Sequence, residues 1–222
     1  MRRPKAAIGD LFAGSGRRAD REGIAEGAWL LPGFALGVAD DLLAAIEQVA
    51  AAAPFRNMVT PGGFRMSVAM TNCGEAGWVT DLKGYRYQPV DPETGSPWPT
   101  MPAAFLDLAA RAAEAAGFGG FRPDACLVNR YEPGTRLTLH QDRNERDFAQ
   151  PIVSVSLGIP ATFLFGGDER KDRPKRVPVE HGDVVVWGGP ARLAFHGVAE
   201  LAEAGHQATG RLRYNITLRK AL

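Results

Sequence analysis

After Pro123 the chain becomes one short strand-like run after another, and this succession limits the possible fold more than any other feature. The runs cover 126–131, 136–140, 152–157, 162–165, 184–187, 193–198 and 212–218, with Gly- and Pro-bearing turns between them. Short runs rich in Val, Ile, Leu and aromatic residues, bounded by turn formers, pair as antiparallel strands, and several in series close into a sandwich or barrel. The expectation is a mainly β fold of the α+β kind, built on a double-stranded β-helix (jelly roll) with a site in its mouth. Two helices precede it. Asp40 opens the first, with Leu42, Leu43, Ile46, Val49 and Ala53 at helical spacing and Pro54 closing it. Pro102 starts the second and Gly117 stops it, with Phe105, Leu108, Ala109 and Ala112 as its packing face. Both are expected to buttress the outer face of the sheet.

Residues 1–27, rich in Gly, Arg and Ala without periodicity, are expected to form a loose arm. Residues 28–122 form an N-terminal extension and 123–222 the jelly-roll core, the whole being one compact unit of 222 residues. No apolar run is long enough to span a membrane, and Met1-Arg2-Arg3-Pro4-Lys5 lacks the apolar core of a signal peptide, so a cytoplasmic protein is expected. Nothing in the pattern signals an oligomer, and a monomer is the default. Cys73 and Cys126 have no metal spacing and are expected to be packing thiols. A net charge of +1 leaves any nucleic-acid contact to local patches. The two candidates are the N-terminal arginines to Arg21 and the segment Asp168–Arg176, with Arg170, Lys171, Arg173, Lys175 and Arg176. Solvated loops would look the same.

Histidine is scarce, with four in the chain. His140 stands two residues before Asp142 at the end of an alternating run, and in a strand residues i and i+2 share a face. A second imidazole from the distant His196 would complete a set of two histidines and one carboxylate, which leaves open positions on a non-haem Fe(II) for substrate and O2. A second copy of the pattern, His181-Gly182-Asp183, carries turn chemistry before a buried strand and is expected to be structural, with His206 in a surface loop. Along the last strand, Arg213, Asn215 and Arg219 share one face. Either that face is solvated, or it lines the barrel, where an arginine fork would grip a carboxylate. Asn129 and Tyr131, also two apart, would offer an amide and a phenol to the same ligand. A dicarboxylate such as 2-oxoglutarate, which supplies electrons to an Fe(II) oxygenase by decarboxylation, fits these faces. Trp78, Tyr85, Arg86 and Tyr87 cluster in a stretch of short strands, and stacking on bases or core packing would each explain them.

Taken together, Met70-Thr71-Asn72-Cys73-Gly74, Asn129-Arg130-Tyr131, Leu139-His140-Gln141-Asp142, 151–158, 181–189 and Arg213-Tyr214-Asn215 resemble the bacterial AlkB family from about Pro54 to the C-terminus. These are 2-oxoglutarate- and Fe(II)-dependent dioxygenases that repair alkylated nucleic acid. The resemblance implies that His140, Asp142 and His196 hold iron. It implies that Asn129, Tyr131 and Arg213 bind the 2-oxoglutarate carboxylate distal to the metal, with Asn215 and Arg219 near its other end. It also implies a nucleotide-recognition lid bearing Trp78, Tyr85, Arg86 and Tyr87, with Glu145 and Arg170 at base- or nucleotide-contacting positions. Asn144 departs from the family, standing where close relatives carry an aspartate that reads the exocyclic amine of the damaged base. The activity implied is oxidative demethylation of 1-methyladenine and 3-methylcytosine in single- or double-stranded DNA, with RNA as a further partner. 2-Oxoglutarate and O2 would be consumed, and succinate, CO2 and formaldehyde released. Two rivals stay open on the residues alone: an oxygenase of a protein or small molecule, and a non-catalytic jelly-roll module that binds nucleic acid.

Overall fold

The structure is a computed structural model that describes residues 20–222. The expectations for the arginines of residues 1–19 therefore lie outside the described residues. In chain order the elements are β1 (Glu22–Ala25), β2 (Ala28–Leu31), α1 (Ala39–Ala52), β3 (Ala69–Gly74), β4 (Gly77–Asp81), β5 (Gly84–Gln88) and α2 (Ala103–Ala115). There follow β6 (Ala125–Tyr131), β7 (Leu137–His140), β8 (Ile152–Gly158), β9 (Ala161–Phe165), β10 (Lys175–Val179), β11 (Val184–Trp187), β12 (His196–Val198) and β13 (Arg213–Arg219). Seven strands form a large sheet in the order β1-β2-β11-β8-β13-β6-β3, four form a smaller one in the order β10-β9-β12-β7, and β4-β5 is a separate hairpin. The two antiparallel sheets are the expected jelly roll.

Alternation along the central strands decides what faces what. On β8, Val153, Val155 and Leu157 pack in one cluster with Leu42, Ile46, Val49, Phe105 and Leu108 of the helices. Ile152 instead meets Phe163 and Phe165 of the smaller sheet. On β11, Val184 and Val186 face the helices, whereas Val185 and Trp187 face the space between the sheets. Each such Val or Leu removed from water stabilises the fold by about 1.5–3 kcal/mol. The large sheet is therefore apolar on its helix side and free to carry polar groups between the sheets.

The helices end where their sequence makes them end. Asp40 and Asp41 lie in the first turn of α1, where carboxylates favour the positive end of the helix dipole. Pro54 disfavours helical geometry at the residue before it, and Ala53 is extended at φ −132°, ψ 92°. Pro102 caps α2 from just outside rather than beginning it, with ψ of 140°. Gly117, at φ +90°, closes α2 as expected, and Phe118 N–H returns to the Ala113 carbonyl.

The structure differs from the expected bounds at three places. The loose arm does not extend to residue 27: β1 pairs with β2, and β2 lies along the whole of β11. Its residues are mostly exposed, so backbone pairing holds it and no apolar pattern announces it. Residues 28–122 contribute β2 and β3 to the large sheet alongside the strands of the core. The run 193–198 is a strand only from His196, because the chain turns through Ala191–Ala194 first. The basic segment Asp168–Arg176 ends inside β10, an edge strand that turns Val177 and Val179 inward and tolerates Pro178 because only one side is paired.

Candidate functional site

Strand pairing assembles the histidines. β12 lies antiparallel to β7 with His196 directly opposite His140, which brings the ring centroids to 4.4 Å. Asp142 follows two residues after His140, its carboxylate oxygens 3.8 Å from His140 Nε2 and 3.7 Å from His196 Nε2. One ligand atom from each of the three lies within 4.8 Å of the others, and among the described residues no other group of this kind occurs.

The hydrogen bonds behind these rings fix their chemistry. His140 Nδ1 lies 2.9 Å from the Thr138 carbonyl and His196 Nδ1 lies 3.0 Å from the Ala194 carbonyl. A carbonyl only accepts, so each Nδ1 carries a proton, and Nε2 is the ring nitrogen that each histidine turns towards Asp142. Burial, with His140 beside it, pushes the pKa of His196 down to about 3, so the ring is neutral as a ligand must be. Burial alone would raise the pKa of Asp142, but Arg219 and the two histidines outweigh it and hold the carboxyl well below the usual carboxylate range. Two imidazole lone pairs and a carboxylate on one side of a point are a donor set for Fe(II).

Asp142 is held from two sides. Arg219 Nε donates to its Oδ2 at 2.7 Å and Arg192 Nη1 to its backbone carbonyl at 2.9 Å. Glu145 lies against both arginines, 3.4 Å from Arg192 Nη2 and 3.6 Å from Arg219 Nε, and accepts from Tyr87 Oη at 2.7 Å. Tyr87 and Glu145, expected at nucleotide-contacting positions, thus meet each other and are not among the residues lining the cavity. Arg86 also misses the lining, because Asp81 holds its guanidinium at 2.8–2.9 Å along the β4–β5 hairpin. These contacts share one cause: nearby opposite charges and acceptors engage the polar ends within the protein.

The alternating face of β13 is interior, not solvated: Arg213, Asn215, Thr217 and Arg219 are all buried and line the cavity. Arg213 lies opposite Tyr131 of β6, and Asn215 opposite Asn129. Arg213 Nη2 donates to Ser156 Oγ at 2.9 Å, but its Nε and Nη1, the Tyr131 hydroxyl and Asn129 Oδ1 find no hydrogen-bond partner. Arg213 and Tyr131 are close enough to affect each other's titration without making a well-aligned bond. Burial lowers the pKa of Arg213, as expected for a cation taken out of water with no carboxylate near it. Orphaned buried donors grouped in this way fit a carboxylate ligand. Asn215 differs: its Nδ2 donates to Ser154 Oγ and the Val155 carbonyl, and its Oδ1 accepts from Asn129 and Thr217. Its amide is fully engaged within the protein.

Between these groups lies a cavity of about 850 Å³, ample for a nucleobase beside a dicarboxylate. Trp78 and Tyr85 stack at 5.6 Å over its mouth, and Asn144 and Arg170 line it. Sequence reasoning missed Arg65 and Arg136, which line it from segments without a motif. It also missed Asn72, which exchanges two hydrogen bonds with the backbone of Trp78, at 2.9 and 3.0 Å. Asn72 stood inside a conspicuous five-residue motif, and that was its only signal. The second pattern is structural, as expected: Asp183 accepts from Gly33 and Glu180 N–H, and His181 Nδ1 accepts from Gly158 N–H. His206, expected in a loop, stacks on His181 with centroids 4.2 Å apart.

Comparison with known proteins bears on the same site. A sequence profile described as the 2OG-Fe(II) oxygenase superfamily matches residues 27–219. An Escherichia coli protein named alpha-ketoglutarate-dependent dioxygenase AlkB is 55% identical over 212 residues, covering 96% of this chain and 97% of its own. A Schizosaccharomyces pombe protein named tRNA demethylase abh1 is 31% identical over 125 residues, covering 56% of this chain and 41% of its own. Among solved structures, OsALKBH1 is similar with a TM-score of 0.80 at 26% identity, covering 90% of this chain and 99% of that one.

Proposed function

Because the chain belongs to the 2OG-Fe(II) oxygenase superfamily and, within it, to the AlkB family, we propose that its cavity removes N-linked methyl groups from bases of DNA and RNA. The observation that carries the reading is a His-Asp-His group sharing one cavity with a buried guanidinium that lacks a carboxylate. Fe(II) held by His140, Asp142 and His196, with 2-oxoglutarate and O2, supplies the oxidation, the co-substrate leaving as succinate and CO2 and the methyl group as formaldehyde.

The chain's own residues bind and orient. Arg213 and Tyr131 hold the far carboxylate of 2-oxoglutarate, with Asn129 beside them. Asn215 and Arg219 act one step back, Asn215 by aligning Asn129 and Arg219 by fixing Asp142. Trp78 and Tyr85 offer aromatic faces to an extruded base, and extrusion costs least where methylation has already blocked pairing. Arg170, with Arg65 and Arg136 on the same lining, meets the phosphates. In this reading 28–122 supply the lid and buttress, 123–222 supply the chemistry, and the enzyme works as a cytoplasmic monomer. No helix among the described residues is long and apolar enough to cross a membrane.

Anaerobically iron-loaded protein, given 2-oxoglutarate, a single-stranded oligonucleotide carrying 3-methylcytosine and then air, should restore cytosine and release succinate in step. His140→Ala should do neither. Succinate without restored base would remove nucleic acid from the reading, and neither product from folded, iron-binding protein would remove the oxidation as well.

A further inference from the structure

Tyr87 stands directly opposite Trp78 in the β4–β5 hairpin, so the two side chains leave the same face, and Tyr85, two residues before Tyr87, shares that face. The hairpin thus presents one row of aromatic rings. Trp78 and Tyr85 stack at the cavity mouth, whereas Tyr87 donates its hydroxyl to Glu145 Oε1 at 2.7 Å, and that side chain is only 1% exposed. Glu145 in turn lies against Arg192 and Arg219, and these two guanidiniums hold the backbone carbonyl and the carboxylate of Asp142. The longest link in this chain is 3.6 Å. Two carboxylates and two guanidiniums already balance one another's charge, so the network needs none from Tyr87. Its hydroxyl adds a fixed distance between the hairpin and the groups that hold Asp142.

Resting on the function proposed above, we propose that Tyr87 is a positioning residue that couples the seating of a methylated base on the hairpin to the hold on the metal ligand Asp142. The hairpin is tied down at its open end, where Asn72 grips the Trp78 backbone and Trp98 Nε1 donates to the Gln88 carbonyl at 2.9 Å, while its turn at Leu82 and Lys83 is exposed. A base stacked on Trp78 and Tyr85 fixes the rest of it, which keeps Tyr87 Oη on Glu145. Glu145 then keeps Arg192 and Arg219 where they grip Asp142 from two sides. The other tie from this face, Trp78 Nε1 to Asn144 Oδ1, is exposed and 3.4 Å long, beyond the usual range for an N–H donor. Coupling of this kind is reciprocal: the factor by which the base tightens the metal is the factor by which the metal tightens the base. A methyl carbon has no lone pair, so base and metal share no bond from which the factor could arise directly.

The test uses Co(II) in place of Fe(II), since it takes nitrogen and oxygen ligands of this kind and absorbs in the visible without turnover. With 2-oxoglutarate present, absorption gives the Kd of Co(II) with and without a saturating single-stranded oligonucleotide carrying 3-methylcytosine. Anisotropy gives the Kd of the same oligonucleotide, labelled, with and without Co(II). Wild-type protein should show one factor of about five- to tenfold in both titrations. Tyr87→Phe keeps the ring and loses only the hydroxyl, and both factors should fall to about twofold or less. A residue that merely supported the fold would shift the metal affinity equally with and without oligonucleotide and leave the factor in place. A variant factor above about twofold, or a wild-type factor at or below it, overturns the proposal. If the wild type binds the methylated oligonucleotide no more tightly than an unmodified one, the demethylase reading fails and this proposal with it; tighter binding without coupling overturns this proposal alone.

Discussion

Replacing Arg213 by methionine should weaken the ligand complex and leave the free protein no less stable, and this pairing of effects tests whether the guanidinium awaits a carboxylate. Arg213 is buried, makes one bond to Ser156 Oγ and leaves Nε and Nη1 unpartnered. Hydrogen bonds to a charged group each contribute about 1.5–3 kcal/mol, so a two-pronged grip on 2-oxoglutarate is worth about 3–6 kcal/mol, or about two to four decades in its Kd. Without ligand the account reverses. A buried cation with no counter-ion costs stability, methionine fills similar space, and the loss of one bond to Ser156 is about 1 kcal/mol. Unfolding free energy of the free variant should therefore lie within about 1 kcal/mol of wild type or above it. The assay is thermal and urea denaturation of iron-loaded protein under anaerobic conditions, with and without 2-oxoglutarate. At 100 times its Kd the ligand should stabilise wild type by about 2.7 kcal/mol, which for a chain of this size raises Tm by about 5–10 °C. The variant should show no shift at that concentration. A free variant destabilised by more than about 2 kcal/mol would mean that the guanidinium has a structural partner, and would refute the reasoning.

Three further outcomes follow from contacts already described. Glu145→Ala leaves the buried Arg192 without a carboxylate while Arg219 keeps Asp142, and should cost about 3–5 kcal/mol by urea denaturation, whereas a residue that merely touched a base would weaken oligonucleotide binding and leave stability alone. Asn72→Ala removes both bonds to the Trp78 backbone and should weaken binding of methylated oligonucleotide by about tenfold while 2-oxoglutarate affinity, read by the same thermal shift, stays at its wild-type value. Burial and the adjacent His206 hold the pKa of His181 below its ordinary 6.5, so the unfolded chain takes up that proton first. Stability should therefore be full above about pH 6.5 and decline as the pH falls towards the folded pKa. His206→Gln should make that decline shallower, and identical slopes in the two proteins would show that the stacked pair contributes nothing.

Much of the site was legible because its residues follow strand periodicity. His140 and Asp142, Asn129 and Tyr131, and Arg213, Asn215 and Arg219 are separated by even steps of two or four residues, and all of them line one cavity. Side chains whose partners lie elsewhere in the chain carry no such local signal. Nothing local reveals that Arg86 is held by Asp81 or that Tyr87 and Glu145 meet across 58 residues of chain. The same holds for Asn72, whose role exists only because β3 runs beside the β4–β5 hairpin.

The sequence by itself determined the fold class, since alternating apolar runs between turn residues leave few other ways to bury their faces, and it determined the two helix faces and their stops. It also singled out the residue types that could hold a metal and a dicarboxylate. Only the tertiary structure decided between the two H-x-D patterns, and whether the polar face of β13 is wet or enclosed. Period-two alternation looks the same whether the polar side meets water or a second sheet. The difference lies in long-range pairing: β12 against β7 places His196 opposite His140, and Arg213 is buried in a cavity that residues of both sheets line. Hydrogen-bond partners and burial are properties of that pairing, fixed by residues far apart in the chain.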